Sequence, residues 1–118
     1  MVAGRQCYTR EQRLTRAADY QRLFKSAQRS SDNHLIVLAS KNTVGCARLG
    51  FAVARKKIPS AVGRNRIKRL ARESFRKQNE FDDLDVVVMA RHDLTEVSNN
   101  TLFESLARHW SRFARRQR

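Results

Sequence analysis

The sequence predicts an α+β fold, a two-layer α–β sandwich in which helices pack on a small, mostly antiparallel sheet, and three observations carry that prediction. Two short apolar runs, HLIVLAS at 34–40 and DVVVMA at 85–90, have strand length and no helical period. Between them Leu49, Phe51 and Val53 alternate with Arg48, Gly50, Ala52 and Ala54, the period of a half-buried strand. Around these runs lie stretches whose apolar residues recur every three or four positions, the period of a helix buried on one side. At 118 residues the chain fits one domain over 1–118, with the polar ends, about 1–13 and 114–118, expected to be flexible.

The elements follow in order. From about Thr15 to Ala27, Ala17, Tyr20, Leu23, Phe24 and Ala27 share a helical face, and the polar run Gln28 to Asp32 ends that helix. His34 to Ser40 is rich in branched residues and reads as a strand buried on both faces. Lys41 to Gly45 turns the chain into the strand Arg48 to Ala54, expected to run antiparallel to the first because the connection is short. Ile58-Pro59-Ser60 introduces a helix over about Ala61 to Lys77, proline being tolerated in a first turn. Asp85 to Ala90 is the third strand. Thr101-x-x-Glu104 reads as a capping box opening a last helix toward Phe113, with Leu102, Phe103, Leu106, Ala107, Trp110 and Phe113 on its apolar side.

Charge narrows the function. The 25 Lys+Arg against 11 Asp+Glu give a formal net charge of +14, which repels itself in a compact chain unless a polyanion neutralises it. Arginine supplies 19 of those cations, favouring the planar fork that grips phosphate oxygens in pairs. With 41% hydrophobic residues the chain is a folded basic protein rather than a disordered basic tail. It has no apolar run of membrane-spanning length, and MVAGRQCYTREQR lacks the apolar stretch of a signal peptide, so a cytoplasmic protein without a membrane partner is expected. Cys7 and Cys46 read as two free thiols of a reducing compartment, and His34, His92 and His109 show no metal-ligand spacing.

The richest segment is RNRIKRLARESFR at 64–76. Turning each residue by about 100° gathers Arg64, Asn65, Lys68, Arg69, Arg72 and Arg76 into an arc of about 140°. Ile67, Leu70, Ala71 and Ser74 occupy a separate arc, with Phe75 at its border. One face therefore packs on the sheet and the other presents cations with a single amide. A merely solvated charged face would mix signs, yet Glu73 is the only acid, and Arg64/Lys68, Lys68/Arg72 and Arg72/Arg76 are like-charged i,i+4 pairs. Each such pair costs an isolated helix roughly 0.2–0.5 kcal/mol, which points to an absent anion.

This segment resembles the signature of the protein subunit of bacterial ribonuclease P. The resemblance extends to Ala54-Arg55-Lys56-Lys57 at a strand end and to Tyr20-Gln21-Arg22-Leu23-Phe24, and covers roughly residues 13 to 113. It implies a left-handed crossover through the basic helix. It also implies a non-catalytic subunit of an endoribonuclease, bound to a large catalytic RNA that uses Mg²⁺ to remove the 5′ leader of precursor tRNA. The metal would be held mainly by the RNA, and no further protein partner would be required. Carried over by position, Arg64, Asn65, Arg66, Lys68, Arg69 and Arg72 would face the catalytic RNA, with Lys56 and Lys57 reinforcing that surface. Tyr20 and Phe24 match aromatic positions of the family's leader-binding cleft, where stacking accepts any base. Ala39 stands where some members carry a third cleft aromatic.

Two other classes remain to be weighed. A DNA-binding or ribosomal protein could use the same helix, although cations with one amide suit backbone phosphates rather than a base code. A protein-only nuclease would need clustered carboxylates or histidines at metal-ligand spacing. Asp82, Asp83 and Asp85 read instead as an acidic loop entering a strand, and His34 and His92 lack an evident acid/base partner. Arg112, Arg115, Arg116 and Arg118 read as a basic tail adding nonspecific RNA affinity.

Overall fold

The computed structural model describes residues 21, 23–25, 27–42, 47–77 and 84–117, with side chains up to 113. The chain order is β1 (Gln28–Ser31), β2 (Leu35–Lys41), β3 (Arg48–Phe51), α1 (Ala61–Arg76), β4 (Leu84–Ala90) and α2 (Asn99–Gln117). Before β1, Gln21 and Leu23 to Lys25 are helical, and the Ala27 amide closes that turn on the Leu23 carbonyl at 3.0 Å. Tyr20 and both cysteines lie outside the described residues.

The four strands form one sheet in the order β1-β2-β4-β3, with β1–β2 and β2–β4 antiparallel and β3–β4 parallel. Two expectations are corrected here. The polar run after the first helix is a strand, held by its backbone ladder to β2, with only Ser30 buried. The strands at 34–40 and 48–54 oppose each other in direction but are not neighbours, because β4 lies between them. Val86, Val87 and Val88 are all fully buried, so β4 needs cover on both faces, and the centre of a sheet supplies it. Segment β3–α1–β4 is therefore a parallel crossover through the basic helix.

On one face Leu35, Val37, Ala39, Leu49, Val86 and Val88 meet Ile67, Leu70, Ala71 and Phe75 of α1 and Leu102, Leu106, Trp110 and Phe113 of α2. Phe75 and Trp110 pack edge to face at 5.5 Å, and the Trp110 indole donates to the Ser74 hydroxyl at 2.7 Å. That bond gives the one polar residue of the apolar arc a role. On the other face Leu23 and Val87 bury each other beneath Ala27, Ala52 and Met89.

Helix α1 starts at Ala61, where its sequence pattern predicts, two residues after Pro59: Ser60 is the cap and accepts from the Gly63 amide at 3.1 Å. A Cβ at Gly63 would stand 2.8 Å from the Ile58 side chain, which explains a glycine inside a helix. Helix α2 begins earlier than its capping-box pattern, since the Thr101 amide donates to the Ser98 hydroxyl at 3.2 Å and Asn99 is already helical.

Candidate RNA interface

Amphipathicity orients α1. Its buried residues Ile67, Leu70, Ala71 and Phe75 fix the helix on the sheet, so Asn65, Arg69, Arg72 and Arg76 stand exposed and Lys68 half-exposed. No acid occupies the first turn. Among the described residues no carboxylate lies within ion-pair distance of Lys68, Arg69, Arg72 or Arg76, although Arg72 stands over the Phe51 ring at 5.3 Å. Lys56 and Lys57 are exposed in the turn after β3, where the Lys57 ammonium donates to the Arg91 carbonyl at 2.9 Å. This turn and the start of α1 thus continue one basic surface.

Two residues of the motif are tied down instead. The Arg64 guanidinium folds back on the carbonyls of Ile58 and Pro59 at 2.9 and 2.8 Å, bracing the entry to its own helix. Arg66 reaches across to the α2 approach. It donates to the Asn99 side-chain oxygen at 2.9 Å, to the Leu94 carbonyl at 3.0 Å and to the Val97 carbonyl. Arg66 lies outside the cationic arc and clamps a loop.

The opposite face of the sheet carries Phe24, 54% exposed, while its neighbour Leu23 is fully buried on Val87. An aromatic so exposed is not core. Around the Leu23–Val87 pair, half-buried Met89 and Ala52 form a shallow apolar strip, with half-buried Ile36 opposite Met89 in the ladder. Ala39 does not belong to this strip: it is buried on the face that α1 and α2 cover, so its small side chain takes nothing from the Phe24 side.

A polar network that the sequence did not announce docks α2 on the β1–β2 turn. Asp32 accepts from the His34 and Leu35 amides at 2.9 Å each, from the Ser105 hydroxyl at 2.5 Å and from Arg108 at 3.2 Å. Burial alone would push its carboxyl up, but the bonds from Ser105, Leu35 and His34 and the nearby His109 hold it well below the usual carboxylate range. Fully buried His109 lies between Ser30 and Asp32. Its Nδ1 is 2.6 Å from the Ser30 hydroxyl and its Nε2 is 3.3 Å from the Asp32 carboxylate. Arg112 donates to that hydroxyl at 2.8 Å, so Ser30 gives its own proton to Nδ1, and the remaining ring N–H faces Asp32. Burial lowers the His109 pKa, Asp32 opposes the shift, and Arg112 and Arg108 add to it. The order Ser–His–Asp is that of a hydrolase, but Ser30 and His109 are buried under α2, out of reach of any substrate.

The family model for ribonuclease P matches residues 8–114. The chain belongs to the ribonuclease P protein family. The ribonuclease P protein component of Vibrio cholerae is 42% identical over 112 residues, 94% of this chain and 95% of that one. The component of Methylococcus capsulatus is 46% identical over 110 residues, covering 92% and 86%. Among solved structures, the RNase P protein of Staphylococcus aureus superposes with a TM-score of 0.77 at 30% identity, covering 87% of this chain and 94% of that one. The RNase P protein of Thermotoga maritima gives 0.74 at 33% identity over 85% and 96%. The protein is thus a non-catalytic component of the ribonuclease P ribonucleoprotein, a tRNA-processing endoribonuclease whose other part is an RNA subunit. Among the described residues no helix is long and apolar enough to cross a membrane. Nor do three His, Cys, Asp or Glu side chains gather there as a metal-holding group, and the buried Asp85 carboxylate is taken by Arg48 and Asn42.

Proposed function

We propose that the exposed face of α1, with Lys56 and Lys57, neutralises phosphates of the catalytic RNA, while the sheet face that carries Phe24 receives the 5′ leader of precursor tRNA, with Tyr20 as the second stacking residue that the sequence resemblance implies. The observation that carries this reading is the cationic face of α1, fixed outward by its buried arc and lacking acidic partners among the described residues. Asn65, Lys68, Arg69 and Arg72 make the direct phosphate contacts, and Arg64 and Arg66 shape the surface by bracing its backbone. Exposed Phe24 stacks on unpaired leader bases, which costs no sequence selectivity because every base has a π-face. Mg²⁺, bound mainly by the RNA, would activate the attacking water there. The subunit works in the cytoplasm and needs no further protein partner.

Cleavage of precursor tRNA by the purified chain, with and without the catalytic RNA, tests the division of labour: the chain alone is expected to be inactive at every Mg²⁺ concentration, and RNA-free cleavage would refute it. Phe24→Ala tests the leader site. It should weaken binding of leader-bearing substrate by roughly 1–3 kcal/mol per lost stack and leave leaderless tRNA unaffected. An unchanged ratio between the two in a folded variant would remove Phe24 from the leader path.

A further inference from the structure

His34 and His92 are far apart in sequence and meet at one end of the sheet. Strands β2 and β4 pair antiparallel with Leu35 opposite Ala90, so the residue before β2 and the second residue after β4 emerge together. The backbone fixes both: the Arg91 amide donates to the His34 carbonyl at 3.0 Å, and the His34 amide donates to Asp32 at 2.9 Å. The rings sit edge to face with centroids 5.5 Å apart, and His34 Nδ1 lies 3.4 Å from His92 Nε2.

The surroundings of His92 are unusual for a neutral imidazole. Its Nδ1 is 2.8 Å from the Asp93 carbonyl and its Nε2 is 2.9 Å from the Asn33 carbonyl. Carbonyl oxygens only accept, so a neutral ring that donates from Nδ1 turns its Nε2 lone pair toward the Asn33 oxygen, with His34 Nδ1 alongside. In the His34 tautomer protonated on Nε2, three electron-rich atoms then border one exposed space. A histidine that ligates a metal has this arrangement, one ring nitrogen held by donation to a carbonyl and the other presenting its lone pair. The spacing fits as well: two imidazole nitrogens at about 2.0–2.1 Å from a tetrahedral ion stand roughly 3.3 Å apart, against the observed 3.4 Å.

We infer that His34 and His92 form a binding site for a divalent transition-metal ion of the Zn²⁺ type, liganded by His34 Nδ1 and His92 Nε2. Water completes the shell of an exposed ion, with the Asn33 carbonyl 2.9 Å from His92 Nε2 beside it. Imidazole selects such ions over Mg²⁺, which prefers oxygen ligands, so this site is separate from the metal chemistry of the RNA. The Asp93 carboxylate, fixed by the Thr95 amide at 3.0 Å, adds nearby negative charge. Lys57 and Arg91, bonded into the same end of the sheet, oppose it. A bound ion clips the start of β2 to the exit of β4, beside the turn that carries Lys56 and Lys57.

The test uses the full chain stripped with EDTA and titrated with Zn²⁺ and Ni²⁺ by calorimetry, with the imidazole resonances followed by NMR. A one-to-one isotherm at micromolar metal is expected, with the His34 and His92 rings shifting together. His34→Asn and His92→Asn should each weaken the site by at least about tenfold while the unfolding temperature in EDTA stays unchanged. Absence of binding up to millimolar metal overturns the inference. So does binding that survives both substitutions, which would place the ion on other groups such as the Cys7 and Cys46 thiols. If a variant fails to fold, the ring shifts of the wild-type chain decide the matter alone.

Discussion

Helices α1 and α2 are both amphipathic and both rich in arginine, yet they use it in opposite ways. In α2, Arg108 and Arg112 end on Asp32 and Ser30 around a buried histidine, and so help to hold the helix against β1 and the β1–β2 turn. In α1, Arg69, Arg72 and Arg76 are exposed and meet no carboxylate among the described residues. Arginine content therefore does not locate an RNA surface. What separates the two helices is which acceptors the fold brings within reach: an acid and hydroxyls beside α2, and, among the described residues, no partner carboxylate for the outer cations of α1. Arg66 shows that the division runs through residues rather than helices, since this member of the basic motif spends its donors on the loop before α2.

The sharpest way to break the comparison is to remove a partner from the paired class. Arg48 grips the buried Asp85 carboxylate through two bonds of 2.8 Å, with Asn42 at 2.7 Å. Asp85→Ala removes the buried carboxylate that Arg48 grips and should cost about 3–5 kcal/mol in denaturant unfolding. Replacing both partners, Arg48→Met with Asp85→Leu, should recover most of that loss. A single variant as stable as wild type would mean that the pair does not hold the fold.

Arg66→Ala should cost about 1.5–3 kcal/mol, the range for hydrogen bonds to a charged group, because it frees the loop between β4 and α2. Arg69→Ala should cost nothing measurable. If the two variants unfold alike, the distinction drawn within the motif is wrong.

Acid should loosen α2 before α1. His109 has a folded pKa depressed below its ordinary value, so its contribution is complete above pH about 6.5 and is lost as pH falls through the folded pKa, because the unfolded chain takes up the proton first. Asp32, also depressed, acts in the same direction below about pH 4. Stability should therefore fall on acidification from about pH 6.5, by up to about 1.4 kcal/mol per pH unit for one proton. His109→Gln should flatten that slope, and a slope unchanged in the variant would assign it to other groups.

Much of this was legible in the sequence, and the exceptions share a cause. The span of α1 and its buried arc followed from period alone, because Ile67, Leu70 and Ala71 must leave water together. The runs around Val37 and Val87 announced strands for the same reason. Strand β1 was hidden because QRSS has no apolar pattern and is held by a backbone ladder that side chains do not reveal. The central place of β4 was hidden because a short connection constrains direction, not adjacency. Arg66 and the Asp32 network were invisible because their partners are loop carbonyls and residues more than 70 positions away, such as Ser105 and Arg108.

The smallest expected stability effect gives the most direct test of the α1 face. Lys68→Ala and Arg69→Ala remove charge without touching Ile67, Leu70, Ala71 or Phe75, and Lys68→Ala also relieves like-charge strain with Arg64 and Arg72. Stability should hold or rise by about 0.2–0.5 kcal/mol. Arg72→Ala is a less clean probe, since it also loses the Phe51 ring and about 0.5–1 kcal/mol with it. Affinity for the catalytic RNA should fall all the same. Each phosphate contact releases condensed counterions on binding, so the slope of log affinity against log salt should flatten by roughly one unit per lost cation. Thermal unfolding of the free variant and RNA binding across a salt series, taken together, separate the outcomes. A variant of wild-type stability with a flatter slope places its side chain on phosphate. One with an unchanged slope means that the outer face of α1 is only solvated, and the contrast with α2 would then reflect where acids happen to lie rather than what the helix binds.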